Sequence, residues 1–258
     1  MVRPGEIEHG QVIASKAESV WNWASPAGRQ RATRRATLIV QAAGLTPGMR
    51  VLEIGCGTGL FTRAFAATGC HVDAIDVSPD LLAHTQSKQI PGHVAFRLDD
   101  AESLSYEDET YDAVVGSSIL HHLDISKSLP EMFRVLKPGG RIAFAEPNMI
   151  NPQIAMQRKI PFLRRLAGES PEETAFVRWS LIKQINDSCF KSATIEPFDF
   201  LHPITPRPFI GLVKAFGATA ERLPLIREIA GSLLISASKP LHLEQTADVS
   251  ALDAVVCH

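Results

Sequence analysis

R-V-L-E-I-G-C-G-T-G, residues 50–59, runs a short apolar strand straight into three glycines at alternate positions, and residues 60–68 continue as a helix. A strand, a glycine turn and a helix N-terminus together let backbone approach a ligand closely and aim amide N–H groups at an anion. A plain βα turn needs one glycine, hardly three. A dinucleotide fingerprint reads G-x-G-x-x-G, whereas Gly55, Gly57 and Gly59 give G-x-G-x-G with Glu53 just ahead of them. A pyrophosphate would be repelled by that carboxylate. A ligand carrying an ammonium beside a carboxylate can use Glu53 and the glycine amides together. Asp76 ends the next strand, 21 positions after Gly55, where an acid accepts hydrogen bonds from both hydroxyls of a ribose. The pattern therefore expects an adenosine-like nucleoside joined to a zwitterionic tail.

Outward from this loop, short β-branched runs alternate with helical stretches, the signature of a parallel sheet with crossover helices. Strands are expected at 50–54, 71–76, 94–98, 111–117 and 140–146, with helices near 60–68, 79–88 and 125–136. Two more strands follow, near 194–200 and 232–238, and are expected to pair antiparallel. Further helices are expected over 12–23, from Ser25-Pro26 to the stop at Gly44, over 153–167 with a break at Pro161, from 170 to about 190, and over 209–223. The fold class is α/β: a Rossmann-like, seven-stranded, mostly parallel sheet with helices on both faces, an antiparallel last strand and a helical N-terminal cover. Residues 1–48 form the cover or lid, 49–240 the main domain with a helical insertion at 149–190 over the substrate, and 241–258 a tail.

Composition narrows the class of activity. With 45% hydrophobic and 21% charged residues, the chain can bury a full core, so disorder and coiled coil are poor readings. A formal charge of −2 advertises no obligatory nucleic-acid partner. Apolar runs fall short of the roughly 20 residues that span a bilayer. Cys56, Cys70, Cys189 and Cys257 lie far apart without C-x-x-C spacing, and no leader pattern precedes them, so the expected location is cytoplasmic.

Five separate segments together resemble the class I S-adenosylmethionine-dependent methyltransferases, in the type 11 group of small-molecule enzymes. They are E-I-G-C-G-T-G (53–59), A-I-D-V-S (74–78), D-A-E-S-L (100–104), Y-D-A-V-V (111–115) and R-V-L-K-P-G-G (134–140), covering about residues 49–148. The resemblance implies S-adenosyl-L-methionine as cofactor and S-adenosyl-L-homocysteine as product. It implies that Gly55, Cys56 and Gly57 line the methionine part, Cys56 as a small packing residue. Glu53 supports the amino end, Asp76 the ribose hydroxyls, and Val77 the adenine face. Asp100 accepts from the adenine amine while the Ala101 amide donates to the ring, the pairing an adenine edge presents. Ser117 offers its carbonyl or hydroxyl near the methionine amine. Asp99 reads as a solvated loop acid.

On the substrate side, His121 and His122 follow the fourth strand at the end of the sheet where ligands of open α/β folds bind. Either serves as a general base for an oxygen nucleophile, or the pair only orders the loop. Metal is not expected, since adjacent side chains diverge and no ligand spacing completes a site. G-S-S at 116–118 lacks the elbow of a hydrolase. Trp21, Trp23 and the arginines Arg29, Arg31, Arg34 and Arg35 read as a solvated cover, or as a lid in which one Arg binds a carboxylate. Glu146, Asn148, Phe176, Arg178 and Trp179 are placed to face substrate, although Phe176 and Trp179 fit core spacing better. The basic positions within 157–159 and at Arg164-Arg165 form a modest face that allows weak peripheral membrane contact. The expected activity is methyl transfer to an oxygen of a small molecule, by a monomer or homodimer. The alternatives are a tRNA or protein side chain as acceptor, a cofactor-binding module without catalysis, and a NAD-dependent oxidoreductase.

Overall fold

The computed structural model describes residues 18, 22–159 and 176–241. Its centre is a seven-stranded sheet: β1 Arg50–Ile54, β2 His71–Asp76, β3 His93–Leu98, β4 Tyr111–Ser117, β5 Leu136–Pro147, β6 Lys191–Phe198 and β7 Ser232–Ser238. The spatial order is β3-β2-β1-β4-β5-β7-β6. Strands β1 to β5 pair in parallel, and β7 runs antiparallel to both neighbours, so β6 points the same way as β5. The expected mostly parallel Rossmann-like sheet is what forms.

Helices cover both faces. They are α1 Pro26–Ala43, α2 Thr62–Ala66, α3 Pro79–Ser87, α4 Ile125–Val135, α5 Pro152–Lys159, α6 Arg178–Asp187, α7 Ile210–Ala220 and α8 Pro224–Arg227. One core joins the sheet to α4 and α6 through Leu129, Met132, Leu181 and Ile185; the other joins it to α1 and α2 through Ile39, Ala43 and Phe65. Burying each such leucine, isoleucine or phenylalanine contributes about 1.5–3 kcal/mol. The sequence explains the helix ends. Ser25 accepts the Gly28 amide at 2.8 Å with Pro26 in the first turn, and Gly44 closes α1 in the left-handed conformation at φ 66°.

Element boundaries differ from the sequence reading in places, and β6 runs over Lys191–Phe198 where 194–200 is expected. Strand β5 begins at Leu136 because Leu136 pairs with the buried Tyr111, and Pro138 and its glycines pass as an irregularity before register resumes at Arg141. Helix α6 starts only at Arg178; residues 176–177 are not helical, and the expected start at 170 lies outside the described residues. The expected helix over 12–23 also lies largely outside them, with residues 22–24 in a turn, and residues 160–167 and the tail after 241 lie wholly outside them. Among the described residues no helix is long and apolar enough to cross a membrane.

Candidate functional site

The strand order reverses between β1 and β4, whose carboxyl ends open the crevice where ligands of open α/β sheets bind. The glycine loop, Asp76, the Asp99-Asp100 turn and the segment after Ser117 all leave strands at this edge. The three glycines differ in role. A Cβ on Gly55 would lie 2.5 Å from the Ile119 side chain, and one on Gly59 2.5 Å from Thr85. Both positions are set by packing. A Cβ on Gly57 would meet nothing within 4 Å, so the open face of the loop is at Gly57, where φ is +50°.

That loop is held in advance. The Gly57 amide donates to Asp76 at 2.8 Å, and the Gly57 carbonyl accepts from the Thr85 hydroxyl at 2.6 Å. The Cys56 amide donates to the Ile75 carbonyl, and the Lys88 ammonium reaches the Thr58 carbonyl at 2.9 Å. Thr85 and Lys88 carry no motif in the sequence; only their position on α3 and its end brings them here. Cys56 is buried among apolar neighbours and burial holds its thiol well above the usual range, which fits packing and not nucleophilic attack.

Asp76 is buried. Its second oxygen accepts the Ser78 amide at 2.9 Å, and burial pushes its carboxyl up against the opposing amides of Ser78 and Gly57 and the positive form of His122. Glu53 lies deeper, 2% exposed, with Oε2 buried and without a hydrogen-bond partner among the described residues. Burial, reinforced by the Asp76 charge, pushes its carboxyl up to about 8. Glu53, Asp76 and the open face of the glycine loop thus lie together at this edge of the sheet, with the Thr62 hydroxyl opposing the rise of the Glu53 carboxyl.

The raised Glu53 carboxyl gives a stability test. Because the folded state holds this proton more tightly than the unfolded chain, the protein loses stability as pH rises from the ordinary carboxylate range through about 8. The ligand-free Glu53→Gln variant should therefore gain on the wild type in urea unfolding at about pH 9 and differ little at about pH 5. An equal difference at both values would remove the shifted proton from the account.

The structure separates the two histidines. They occupy a 3-10 turn, Leu120–His122, with ring centroids 4.2 Å apart. His121 is buried and its Nδ1 lies 2.6 Å from Glu146 Oε2. His122 is half-buried and close enough to Asp76 to bias its charge. Glu146, which the sequence reading turned towards substrate, is fully buried. It accepts the Ile119 and Leu120 amides at 2.9 and 3.0 Å through its other oxygen. Burial alone would raise Glu146, but the His121 charge and hydrogen bond, with these amides, hold it below the usual range.

Asp100 accepts the Glu102 amide at 2.9 Å, and Ala101 is buried beside it. Asp99 is not a free loop acid: it accepts the Asp100 and Ser105 amides and fixes the turn. Among the arginines of α1, Arg31 pairs with Asp199 at 2.7 Å and Arg34 with both oxygens of Glu221, while Arg29 bonds the Ala24 carbonyl. Arg35 is 3% exposed and reaches the site edge, donating to Ser117 at 3.2 Å, Ser118 at 2.7 Å and Ser232 at 2.7 Å. Burial, with Arg31 nearby, lowers its guanidinium to about 10. Asn148 is also turned inward, donating to the Glu228 and Ala230 carbonyls at 2.8 Å. Phe176 is core, as its spacing suggests, but Trp179 is exposed under Arg178, which pairs with Glu228. Among the described residues no group of three or more metal-ligating side chains converges.

Comparison with known proteins bears on the family. The family model described as a methyltransferase domain matches residues 52–144. A demethylmenaquinone methyltransferase of Renibacterium salmoninarum is 35% identical over 145 residues, 56% of this chain and 60% of that protein. The aligned part of the chain thus spans less than two thirds of that relative. A protein of the same name from Corynebacterium urealyticum is 30% identical over 186 residues, 69% of this chain and 78% of its own length. Among solved structures, the N-methyltransferase NodS of Bradyrhizobium japonicum, in complex with S-adenosylhomocysteine, superposes with a TM-score of 0.60. It has 18% identity and covers 92% of this chain and 99% of that one.

Proposed function

Since the chain belongs to the class I S-adenosylmethionine-dependent methyltransferases, we propose that it transfers a methyl group from S-adenosyl-L-methionine to the oxygen of a small molecule bearing an acidic ring hydroxyl. The carrying observation is that the pre-held Gly57 loop, Asp76 and the half-buried His122 stand together at one edge of the sheet. The names of the relatives point to a quinone-type ring as the acceptor class, here taken in its reduced, hydroxyl-bearing form.

In this reading Gly55, Cys56 and Gly57 present backbone to the methionine part, and Glu53 receives the cofactor ammonium, giving up the proton that burial holds on its carboxyl in the empty site. Asp76 takes the ribose hydroxyls and Val77 packs on the adenine, while Asp100 and the Ala101 amide read its edge. Ser117, oriented by Arg35, faces the amine. The bound cofactor supplies an electrophilic methyl on a sulfonium, so the protein's remaining task is to align the acceptor and take its proton. His122 takes that proton. His121, fixed by Glu146, positions the turn from which His122 projects. Residues 1–48 act as the cover, 149–190 as the insertion over the acceptor, and 49–240 as the unit that carries both.

Incubating the protein with methyl-labelled cofactor and a metabolite extract should give a labelled product whose fragmentation places the methyl on oxygen. A label on carbon or nitrogen would overturn the oxygen assignment. The His122→Ala variant should lose about a hundredfold in kcat while keeping its affinity for S-adenosylhomocysteine. Turnover equal to wild type would remove His122 as the base.

A further inference from the structure

The segment between β6 and β7 leaves a large apolar surface unpaired. Helix α7 buries only Ile210, Gly217 and Ala220. Phe209, Leu212 and Phe216, spaced by three and four residues, share one outward side and are 55%, 70% and 63% exposed. In the same segment Ile204, Leu223 and Leu225 are 68%, 45% and 87% exposed. Single exposed apolar residues are ordinary, but six large ones within 22 consecutive positions (204–225) mark an interaction surface.

Charge says what covers it. The same segment carries Arg207, Lys214, Arg222 and Arg227, none of which forms an ion pair among the described residues. Both of its carboxylates are tied inward, Glu221 to Arg34 at 2.6 Å and Glu228 to Arg178 at 2.8 Å. The outward charge is therefore positive. Beside the apolar side, a cleft of about 700 Å³ between the N-terminal turns of α1 and α7 is lined by Arg29, Gln30, Arg207 and Lys214. Apolar side chains that can enter acyl chains, next to a basic cleft of headgroup size, are the pairing an anionic bilayer surface recognises.

We propose that the 204–229 segment is a docking surface for an anionic phospholipid bilayer, with Phe209, Leu212, Phe216 and Leu225 entering the acyl boundary and the Arg29–Arg207–Lys214 cleft holding a lipid phosphate. The segment leaves β6 and enters β7 at the carboxyl edge of the sheet, so docking turns the candidate site towards the membrane. This does not depend on which atom is methylated, and it lies on a different element from the 157–165 face singled out in the sequence.

The test is co-sedimentation of the full chain with phosphatidylcholine vesicles, with and without phosphatidylglycerol. The protein should pellet with the anionic vesicles only, and salt should release it. Leu212→Glu with Leu225→Glu should weaken binding at least about tenfold. Arg207→Glu with Lys214→Glu should do the same, each variant keeping the wild-type circular dichroism and urea midpoint. Equal binding to neutral vesicles, or no binding to either, overturns the proposal. A wild-type dimer in light scattering that the Leu212→Glu, Leu225→Glu variant converts to monomer assigns the surface to a second copy and equally overturns it.

Discussion

Glu146→Ala is expected to destabilise the protein by about 3–5 kcal/mol, because it leaves three buried donors without an acceptor at about 1–3 kcal/mol each before relaxation. The donors are the Ile119 and Leu120 amides and His121 Nδ1, all facing a carboxylate with no exposed surface. Glu146→Gln keeps an acceptor for the two amides and loses only the favourable contact to His121, so it should cost less than half as much. The sign of the pH dependence is fixed by the lowered Glu146 carboxyl. Stability from a depressed acid is present above its unfolded pKa and is lost as pH falls through the folded one, so the gap between wild type and Glu146→Ala should narrow on acidification. Urea unfolding at neutral and acidic pH reads both effects. A neutral-pH cost below about 1 kcal/mol would mean that water or a local rearrangement replaces the carboxylate.

Gly57→Asn should weaken cofactor binding strongly while sparing the fold. The left-handed backbone at Gly57 excludes most side chains, but Asn tolerates it, and a Cβ there meets no protein atom within 4 Å. The added side chain enters the open face of the loop, where backbone must approach a ligand. Overpacking at such a contact should weaken S-adenosylhomocysteine binding roughly a hundredfold. Gly55→Asn makes the contrast. Its Cβ would strike Ile119, so that variant should lose thermal stability first. Titration and thermal unfolding of the pair separate the effects, and unchanged affinity in Gly57→Asn would move the ligand off this loop.

The sheet and its loop were legible in the sequence because each depends on short-range pattern. Residues 50–59 show β-branched burial followed by glycine spacing, and Ser25-Pro26 with Gly44 brackets α1 by local capping chemistry. Asp76 was singled out in the sequence by its distance from the glycines as a ribose acceptor; its bond to the Gly57 amide is a further contact that the sequence did not suggest. What escaped depends on long-range burial. Glu146 sits at the end of a strand and reads as a substrate contact until its amide donors, 26 and 27 positions away, are seen. Arg35 is one of four arginines in a short run, and only the helical phase that turns it onto the sheet distinguishes it from Arg29, Arg31 and Arg34. Thr85 is an ordinary helix residue until α3 brings its hydroxyl to the Gly57 carbonyl. Trp179 fits an apolar face by spacing, yet the chain leaves it outside beneath Arg178.

The measurement that bears most directly on the central claim is calorimetric titration of the full chain with S-adenosylhomocysteine and, separately, with NADH. Glu53 beside a glycine loop, with a buried oxygen that lacks a donor, should favour an ammonium-bearing nucleoside over a pyrophosphate. The prediction is a saturable one-to-one isotherm for S-adenosylhomocysteine and no resolvable heat for NADH. Tight NADH binding with none for S-adenosylhomocysteine would contradict it.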